Sequence, residues 1–310
     1  MTILTRAASP IVVVGATGAQ GGAVDRALTG RACEIRALVR DPDSVASRAL
    51  AAQGVVLVAG NLDDAPSLER VMVGAHGVFS VQLYNPRDIP SETRQAGALI
   101  QAARAAGVEV FVQSSVSGTG AHRTMAGWSE GRWDRDYWEN KAAIERATRS
   151  AGFGSAVVLK PAFMMDNLIA PKAAWMFPDL AEGRILTSVE STTEIAFVAA
   201  EDIGRVAVAA FAEPSRFANA EIELAGDILT MPEVARVLSQ AWGETIRPET
   251  RLPEDLIARG QNPGWVQSQT WMNVAGYPAR PDVMRMWGVE PVSLAKWAVT
   301  HRHLRPERRG

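Results

Sequence analysis

Short apolar runs alternate with longer amphipathic stretches through the first half of the chain. Runs rich in β-branched residues are typical of buried parallel strands, and apolar positions three or four residues apart are typical of helices. Predicted strands lie at 11–14, 34–40, 55–60, 77–82, 108–115 and 156–159. Predicted helices follow them at 23–28, 44–53, 67–73, 91–106 and 137–151. The alternation predicts an α/β fold of the Rossmann type, a doubly wound parallel sheet with right-handed crossovers.

The pattern changes after residue 161. Residues 161–186 are rich in proline and methionine, 187–226 resume strand, helix and strand, and helical patterns dominate from residue 230 onward. The chain is also longer than a single core usually extends. We therefore expect a nucleotide-binding domain formed by 1–160 and about 187–226. A smaller, mainly helical substrate-binding lobe would comprise about 161–186 and 227–310.

The composition excludes several classes of function. The chain has 310 residues, 47% of them hydrophobic and 21% charged, with a formal net charge of −2, so no basic excess points to nucleic acid. No segment reaches the roughly 18 apolar residues of a membrane span, and no secretory signal is visible, so we expect a cytoplasmic protein. The lone Cys33 excludes an intramolecular disulfide, and the four histidines lack metal-ligand spacing. The sequence leaves open a homo-oligomer.

The segment 11–22 carries the strongest functional signal. Four apolar residues run directly into glycines spaced G-x-x-G-x-x-G, a pattern typical of the strand, turn and helix that bind a dinucleotide. Gly15 would make the turn, Gly18 would let the backbone approach a pyrophosphate, and Gly21 would let helix and strand pack closely. The phosphates would lie on open N–H groups at the helix N-terminus. Further predicted cofactor contacts in this turn are Thr17, Ala19 and Gln20.

The end of the second predicted strand indicates which dinucleotide binds. An acidic residue about 20 positions beyond the glycines normally binds the ribose 2′-hydroxyl of NAD, but Arg40 stands here. A guanidinium suits a 2′-phosphate, so we predict NADP(H). Asp41 is one residue away, and a shift of register would favour NAD(H). Asn61 and Leu62 are predicted to line the adenine pocket, with a plain helix cap as the alternative.

A serine, a tyrosine and a lysine form the predicted catalytic group. Tyr137 and Lys141 stand at i and i+4, on one face of a helix. A neighbouring ammonium favours the phenolate, so Lys141 is predicted to lower the pKa of Tyr137, the general acid/base. Ser115, at the end of the fifth strand, would hydrogen-bond the substrate oxygen, with Ser114 and Ser117 as alternatives. The tyrosine–lysine spacing also fits an ordinary amphipathic helix.

Several segments together resemble the NmrA-like family of atypical short-chain dehydrogenases/reductases, over most of residues 10–240. The matching segments are 14–22, 37–42, 60–64, 77–81, 114–116, 141–145 and 160–167. The resemblance implies a Rossmann fold, a preference for NADP(H), and a cleft closed by a small C-terminal lobe. The cofactor contacts expected on this basis include Ser80, Val81, Ser114, Lys141, Pro161 and Phe163. The chain departs from the family pattern at Asn61, where aspartate is usual, and it has Tyr137, which many members lack.

The predicted substrate pocket is apolar and aromatic. Nine tryptophans stand against three tyrosines, and several fall in segments expected to border the cleft. Such walls suit a bulky hydrophobic or aromatic small molecule, whereas the alternative is that these side chains only build the core. The predicted contacts are Tyr84, Trp128, Trp133, Phe163, Met164 and Trp175.

These features predict an NADPH-dependent reductase of a hydrophobic carbonyl, imine or quinone-type small molecule, with Tyr137 as general acid/base. One alternative is direct hydride transfer to a quinone or dye without a catalytic tyrosine. Another is a non-catalytic, NADP(H)-sensing regulator that binds a protein partner, because the resemblance includes redox-sensing regulators.

Overall fold

A seven-stranded sheet is the largest sheet among the residues that the computed structural model describes, 9–307. The strand order is β10–β6–β5–β4–β1–β2–β3, and the pairings from β3 across to β6 are all parallel. The strands are β1 (Ile11–Val14), β2 (Ile35–Val39), β3 (Val56–Ala59), β4 (Gly77–Ser80), β5 (Val110–Ser114), β6 (Ser155–Pro161) and β10 (Glu221–Leu224). All the strands that the apolar runs predict are present, with ends shifted by a few residues.

Helices join these strands in the expected alternation. They are α1 (Ala19–Leu28), α2 (Val45–Ala52), α3 (Ala65–Met72), α4 (Ser91–Ala105), α5 (Arg135–Ser150), α7 (Ala200–Ala212) and α8 (Pro214–Phe217). Helices α3, α4 and α5 pack side by side. A Cβ on Gly204 would lie 2.5 Å from the carbonyl oxygen of Ala23, so α7 and α1 approach each other closely. The predicted doubly wound Rossmann-type fold is confirmed.

Two compact units divide the described chain. Unit 1 contains the described part of Met1–Thr119 together with Arg135–Lys160 and Ile203–Ile222. Unit 2 contains the remainder, and so includes 120–134 and 187–202, which the sequence analysis grouped with the sheet. The strand at 195–198 falls in unit 2 because it pairs with strands of that unit.

Unit 2 is built from short helices and two small sheets. Its helices are α6 (Ala173–Met176), α9 (Met231–Trp242), α10 (Pro253–Ala258), α11 (Pro263–Val274), α12 (Pro281–Met286) and α13 (Leu294–Thr300). One sheet has the order β11–β9–β7, from Asp227–Leu229, Ile195–Val198 and Phe163–Met164, and the other pairs β8 (Arg184–Thr187) with β12 (Arg247–Thr250). An aromatic core links Phe163, Phe177, Phe197 and Trp265, with ring centroids between 5.5 and 6.4 Å apart.

Two features are absent from residues 9–307. No helix there is both long and apolar enough to cross a membrane. Within the same residues, no group of three or more His, Cys, Asp or Glu side chains is arranged to hold a metal ion.

Candidate functional site

The turn between β1 and α1 is shaped by glycines that tolerate no side chain. Gly15 has φ of +69°, in the left-handed region that side chains rarely adopt. Its carbonyl oxygen accepts a hydrogen bond from the Gly18 amide at 2.8 Å. A Cβ on Gly21 would overlap the Gly15 carbonyl group and lie 2.7 Å from the Ala16 nitrogen. Strand and helix therefore meet backbone to backbone at this turn.

The N-terminus of α1 is open to an anion. Gly18 caps the helix without a side-chain hydrogen bond, and the first turn carries no acidic residue. Gly15, Thr17 and Gly18 are exposed. The first amides of a helix have no partner within the helix, and its dipole favours negative charge there. The exposed turn therefore offers unshielded N–H groups to a phosphate.

The strand ends beside this turn supply polar groups. The Ser114 hydroxyl donates to Gln20 Oε1 at 2.6 Å, which joins the end of β5 to α1. The Val81 side chain lies 3.0 Å from the position of a Cβ on Gly15. Ser80 Oγ accepts a hydrogen bond from Gln82 Nε2 at 2.9 Å. The structure thus brings together the predicted cofactor residues of the glycine turn, β4 and β5.

Arg40 and Asp41 differ in what already occupies their side chains. Arg40 is exposed just beyond β2 and makes no hydrogen bond or ion pair with the described residues. Asp41 Oδ1 accepts the amide of Asp43 at 2.9 Å and so closes the turn that leads into α2. The guanidinium is therefore the more available of the two groups for a ligand phosphate.

Asn61 and Leu62 follow β3 and have structural contacts. Asn61 Oδ1 accepts the Asp63 amide at 2.8 Å, an arrangement that fits the alternative of a polar strand end before a helix. Leu62 packs against the core formed by the sheet, α3 and α4. Their contact with an adenine ring stays a prediction.

Tyr137 and Lys141 lie on α5, and Lys141 has a partner that the sequence did not indicate. The Lys141 ammonium is 5.8 Å from the centroid of the Tyr137 ring. It forms an ion pair with Glu92, a fully buried residue in the first turn of α4, and lies 3.4 Å from the Gln82 carbonyl oxygen. Tyr84 meets Tyr137 edge to face at 5.4 Å. The Glu92 carboxylate therefore offsets the positive charge beside the tyrosine.

Ser115 faces a second buried carboxylate. Its hydroxyl donates to Glu145 Oε1 at 2.5 Å, and Glu145 Oε2 lies 3.3 Å from the ammonium of Lys160 on β6. Burial raises the pKa of the Glu145 carboxyl, although the bonds from Ser115 and Lys160 oppose this shift. Ser114 and Ser115 thus point to different partners, Gln20 on α1 and Glu145 on α5.

Sequence reasoning missed both glutamates for different reasons. Tyr137, Lys141 and Glu145 are spaced by four residues and so share one helix face, and this spacing could have singled out Glu145. Glu92 gave no such signal, because its contact with Lys141 depends on the packing of α4 against α5.

The predicted substrate residues of unit 2 have varied environments. Trp133 is buried, and its indole N–H donates to the Ala126 carbonyl at 2.7 Å. Phe163 and Met164 are buried in β7, whereas the Trp175 side chain is exposed. Trp128 packs edge to face against His122 at 4.9 Å. Pro161, a predicted cofactor residue, ends β6 and is buried. Contact of Pro161 with the cofactor, and of the other side chains with a substrate, stays a prediction.

Comparison with known proteins decides the family. The model of the NmrA-like family matches residues 7–280. The chain belongs to the NmrA-like family. This confirms the resemblance drawn from the sequence motifs.

The proteins similar to this chain include reductases and a transcriptional regulator. The chain is 31% identical over 243 residues to an NAD(P)H azoreductase of Xenophilus azovorans, covering 76% of this chain and 75% of that protein. The triphenylmethane reductase of Citrobacter sp., solved with NADP(H), aligns with a TM-score of 0.73 at 19% identity, covering 94% and 99% of the two chains. The negative transcriptional regulator NmrA, solved with NADP, aligns with a TM-score of 0.75 at 17% identity, covering 95% of each. These two structures share the fold.

Proposed function

We propose that this NmrA-like protein is an NADPH-dependent reductase of a hydrophobic or aromatic small molecule. The observation that carries the proposal is the glycine turn, where Gly21 leaves no room for a Cβ and the N-terminus of α1 is open. Such a turn accommodates a pyrophosphate. The name of the azoreductase relative supports a reductase that uses a nicotinamide cofactor.

The residues around the turn fit NADP(H). Amides at the start of α1 would bind the pyrophosphate, and exposed Thr17 would lie beside it. Arg40 would bind the 2′-phosphate, because its guanidinium has no hydrogen-bond or ion-pair partner among the described residues that the phosphate would have to displace. Ser114, fixed by Gln20, would lie where β5 ends, the edge of a parallel sheet at which ligands bind.

The reacting end of the site would use Tyr137, Lys141 and Ser115. Bound NADPH would supply a hydride. Tyr137 would give its phenolic proton to the oxygen or nitrogen that gains charge, and Ser115 would hydrogen-bond the same atom. Lys141 would bind the nicotinamide ribose, but its ion pair with Glu92 weakens its effect on the tyrosine. A phenol that keeps its proton suits an acid, and hence the direction of reduction.

The substrate we propose is aromatic and contains a polar double bond. Azo, imine, quinone and carbonyl groups each accept a hydride and a proton. The azo group is the one indicated by the name of the azoreductase relative. Tyr84 and Tyr137 meet edge to face and would offer an aromatic surface beside the acid.

A second candidate is reduction without a tyrosine acid. The buried ion pair of Lys141 and Glu92 favours it, because a lysine whose charge is offset by a carboxylate stabilises the Tyr137 phenolate only weakly. Direct hydride transfer to a cationic dye would then need no proton, and the fold is shared with a triphenylmethane reductase. A regulator that binds NADP(H) without turnover is a third reading, supported by the fold shared with NmrA.

Steady-state turnover of Tyr137→Phe separates the first two candidates. We expect kcat with a carbonyl or azo acceptor to fall about 100-fold, while NADPH affinity, measured by nucleotide fluorescence, changes little. The matched control is Tyr277→Phe, the same exchange on a residue of unit 2. Unchanged kcat in Tyr137→Phe would refute the role of the tyrosine and favour direct hydride transfer.

A further inference from the structure

The Ser115 hydroxyl is committed to a carboxylate. A serine hydroxyl has one hydrogen to donate, and here it goes to Glu145 Oε1 at 2.5 Å. As long as Glu145 is ionised, Ser115 has only lone pairs left for another group. A hydroxyl in that state repels the developing negative charge that the proposed function asks it to stabilise.

A proton on Glu145 would reverse this hydrogen bond. The carboxylic acid would then donate its O–H to Ser115 Oγ, and the serine hydrogen would be released toward the substrate. No atom other than hydrogen needs to move, because the two oxygens are already in contact. The charge state of Glu145 thus decides what Ser115 can offer.

We propose that Glu145 is a positioning residue that decides whether the Ser115 hydroxyl donates its hydrogen to the protein or to the substrate. The proposal rests on the proposed reductase function, in which Ser115 touches the reacting atom. It implies that the active form carries a proton on Glu145, and that the reductase loses Ser115 as a donor when this proton is lost.

The charges around Glu145 come from three elements. Lys160 on β6 lies 3.3 Å from its Oε2 and favours the carboxylate. The same lysine pairs with Glu221 of β10 at 2.5 Å and donates to the Thr119 carbonyl at 2.8 Å, so its charge is shared. Arg149, one turn further along α5, is also paired with Glu221.

The balance at Glu145 favours the protonated form over a wider pH range than in water. Its side chain is 2% exposed, and this burial raises its pKa above the ordinary range of a glutamate. The hydrogen bond from Ser115 and the charge of Lys160 lower the pKa, whereas the charge of Glu221 raises it. Lys141, one turn earlier on α5, is already paired with Glu92.

The substitution Glu145→Gln imitates the protonated state. The glutamine amide N–H can donate to Ser115 Oγ while the amide oxygen accepts from the Lys160 ammonium. Unlike a carboxyl group, the amide does not titrate. Glu145→Gln should therefore keep a measurable turnover whose pH profile lacks the alkaline fall of the natural protein. In the natural protein, turnover should fall about tenfold for each pH unit above the midpoint of Glu145. Ser115→Ala should lose turnover at the pH values where Glu145 is protonated, and should lose little more above them, where the natural protein already lacks this donor. Glu69→Gln, the same exchange on the exposed face of α3, should leave the profile unchanged.

Carbon-13 NMR of the glutamate carboxyl groups tests the contact without catalysis. The Glu145 signal is the one missing from Glu145→Gln, and its midpoint should lie above the ordinary glutamate range of about 4.3. In Ser115→Ala the midpoint should move upward, because a hydrogen bond that favours the carboxylate is lost. The comparison itself needs no change of charge in the interior, and Glu145→Asp, which keeps a carboxyl group, assigns the same glutamate signal if Glu145→Gln folds poorly.

The two readouts distinguish the failure of each idea. An ordinary midpoint that Ser115→Ala does not move would overturn the role of Glu145, as would an alkaline fall that persists in Glu145→Gln. If the natural protein reduces no acceptor while the midpoint is raised and moves with Ser115→Ala, the reductase function fails but the contact stands.

Discussion

Asp25 carries a carboxyl group that lies in the interior of the protein. It lies on α1 with no exposed surface, and neither carboxyl oxygen has a hydrogen-bond partner among the described residues. Burial raises its pKa from 3.8 to about 7, only partly opposed by the charge of Arg26. We predict that Asp25→Asn makes the protein more stable at alkaline pH and changes how stability depends on pH.

The size and sign follow from the two pKa values. Each pH unit between the unfolded and the folded pKa changes the free energy of unfolding by about 1.4 kcal/mol. The raised pKa of Asp25 therefore changes this free energy by about 4 kcal/mol in total. Between about pH 4 and pH 7 the unfolded chain has lost the proton and the folded chain retains it. The contribution of Asp25 to the free energy of unfolding therefore falls as the pH rises through this window, and it stays constant at higher pH. Asparagine does not titrate, so the variant lacks this fall.

Urea unfolding at a series of pH values measures the effect. The difference in unfolding free energy, variant minus natural protein, should grow by about 4 kcal/mol from about pH 4 to about pH 8. The subtraction cancels the other titrating groups, and Asp43→Asn, on an exposed residue, should show no such growth. A difference that stays constant with pH would refute the account of Asp25 as a carboxyl that is buried and protonated.

Two further predictions concern the nucleotide site. Arg40→Ala should weaken NADPH binding about 10- to 100-fold in fluorescence titrations, the loss of a charged hydrogen bond, while NADH binding changes little. Arg31→Ala, beyond the far end of α1, is the control, and equal losses for NADPH and NADH would contradict this use of Arg40. Gly21→Ala should abolish nucleotide binding and cost about 1–3 kcal/mol of stability in thermal unfolding, because its Cβ meets the Gly15 carbonyl group. Gly97→Ala, in open space on α4, should instead stabilise the protein by up to about 1 kcal/mol, and unimpaired binding by Gly21→Ala would disprove the close approach.

The sheet and its helices were predictable because local signals agree. The apolar run at 11–14 is fully buried in β1, and glycine at 107, with φ of +73°, follows the last residues of α4 as a helix stop. Local pattern and fold favour the same structure in such segments. The pairs of short strands in unit 2 had no such signal, since β7 has two residues and β11 three. The helices predicted beyond residue 230, at 231–242, 253–259, 263–275 and 293–302, do not include α12, a six-residue helix that begins at a proline.

Only those parts of the site that lie within a single segment of the sequence were predictable. The glycine turn and the arginine after β2 depend on consecutive residues, so their placement follows from the sequence. The partners of Lys141 and Ser115 depend on packing between elements and on side-chain rotamers, and no spacing in the chain encodes Glu92. Asp25 was overlooked because a polar helix residue is expected to face water.

The most direct test of the account is a turnover assay of the natural protein with NADPH. Azo dyes, quinones, aromatic ketones and imines are offered in turn, and the loss of nicotinamide absorbance is compared with the amount of reduced acceptor formed. We predict stoichiometric reduction of at least one aromatic acceptor, faster with NADPH than with NADH. Tight binding of NADPH without reduction of any acceptor would contradict the reductase account and favour a nucleotide-sensing regulator.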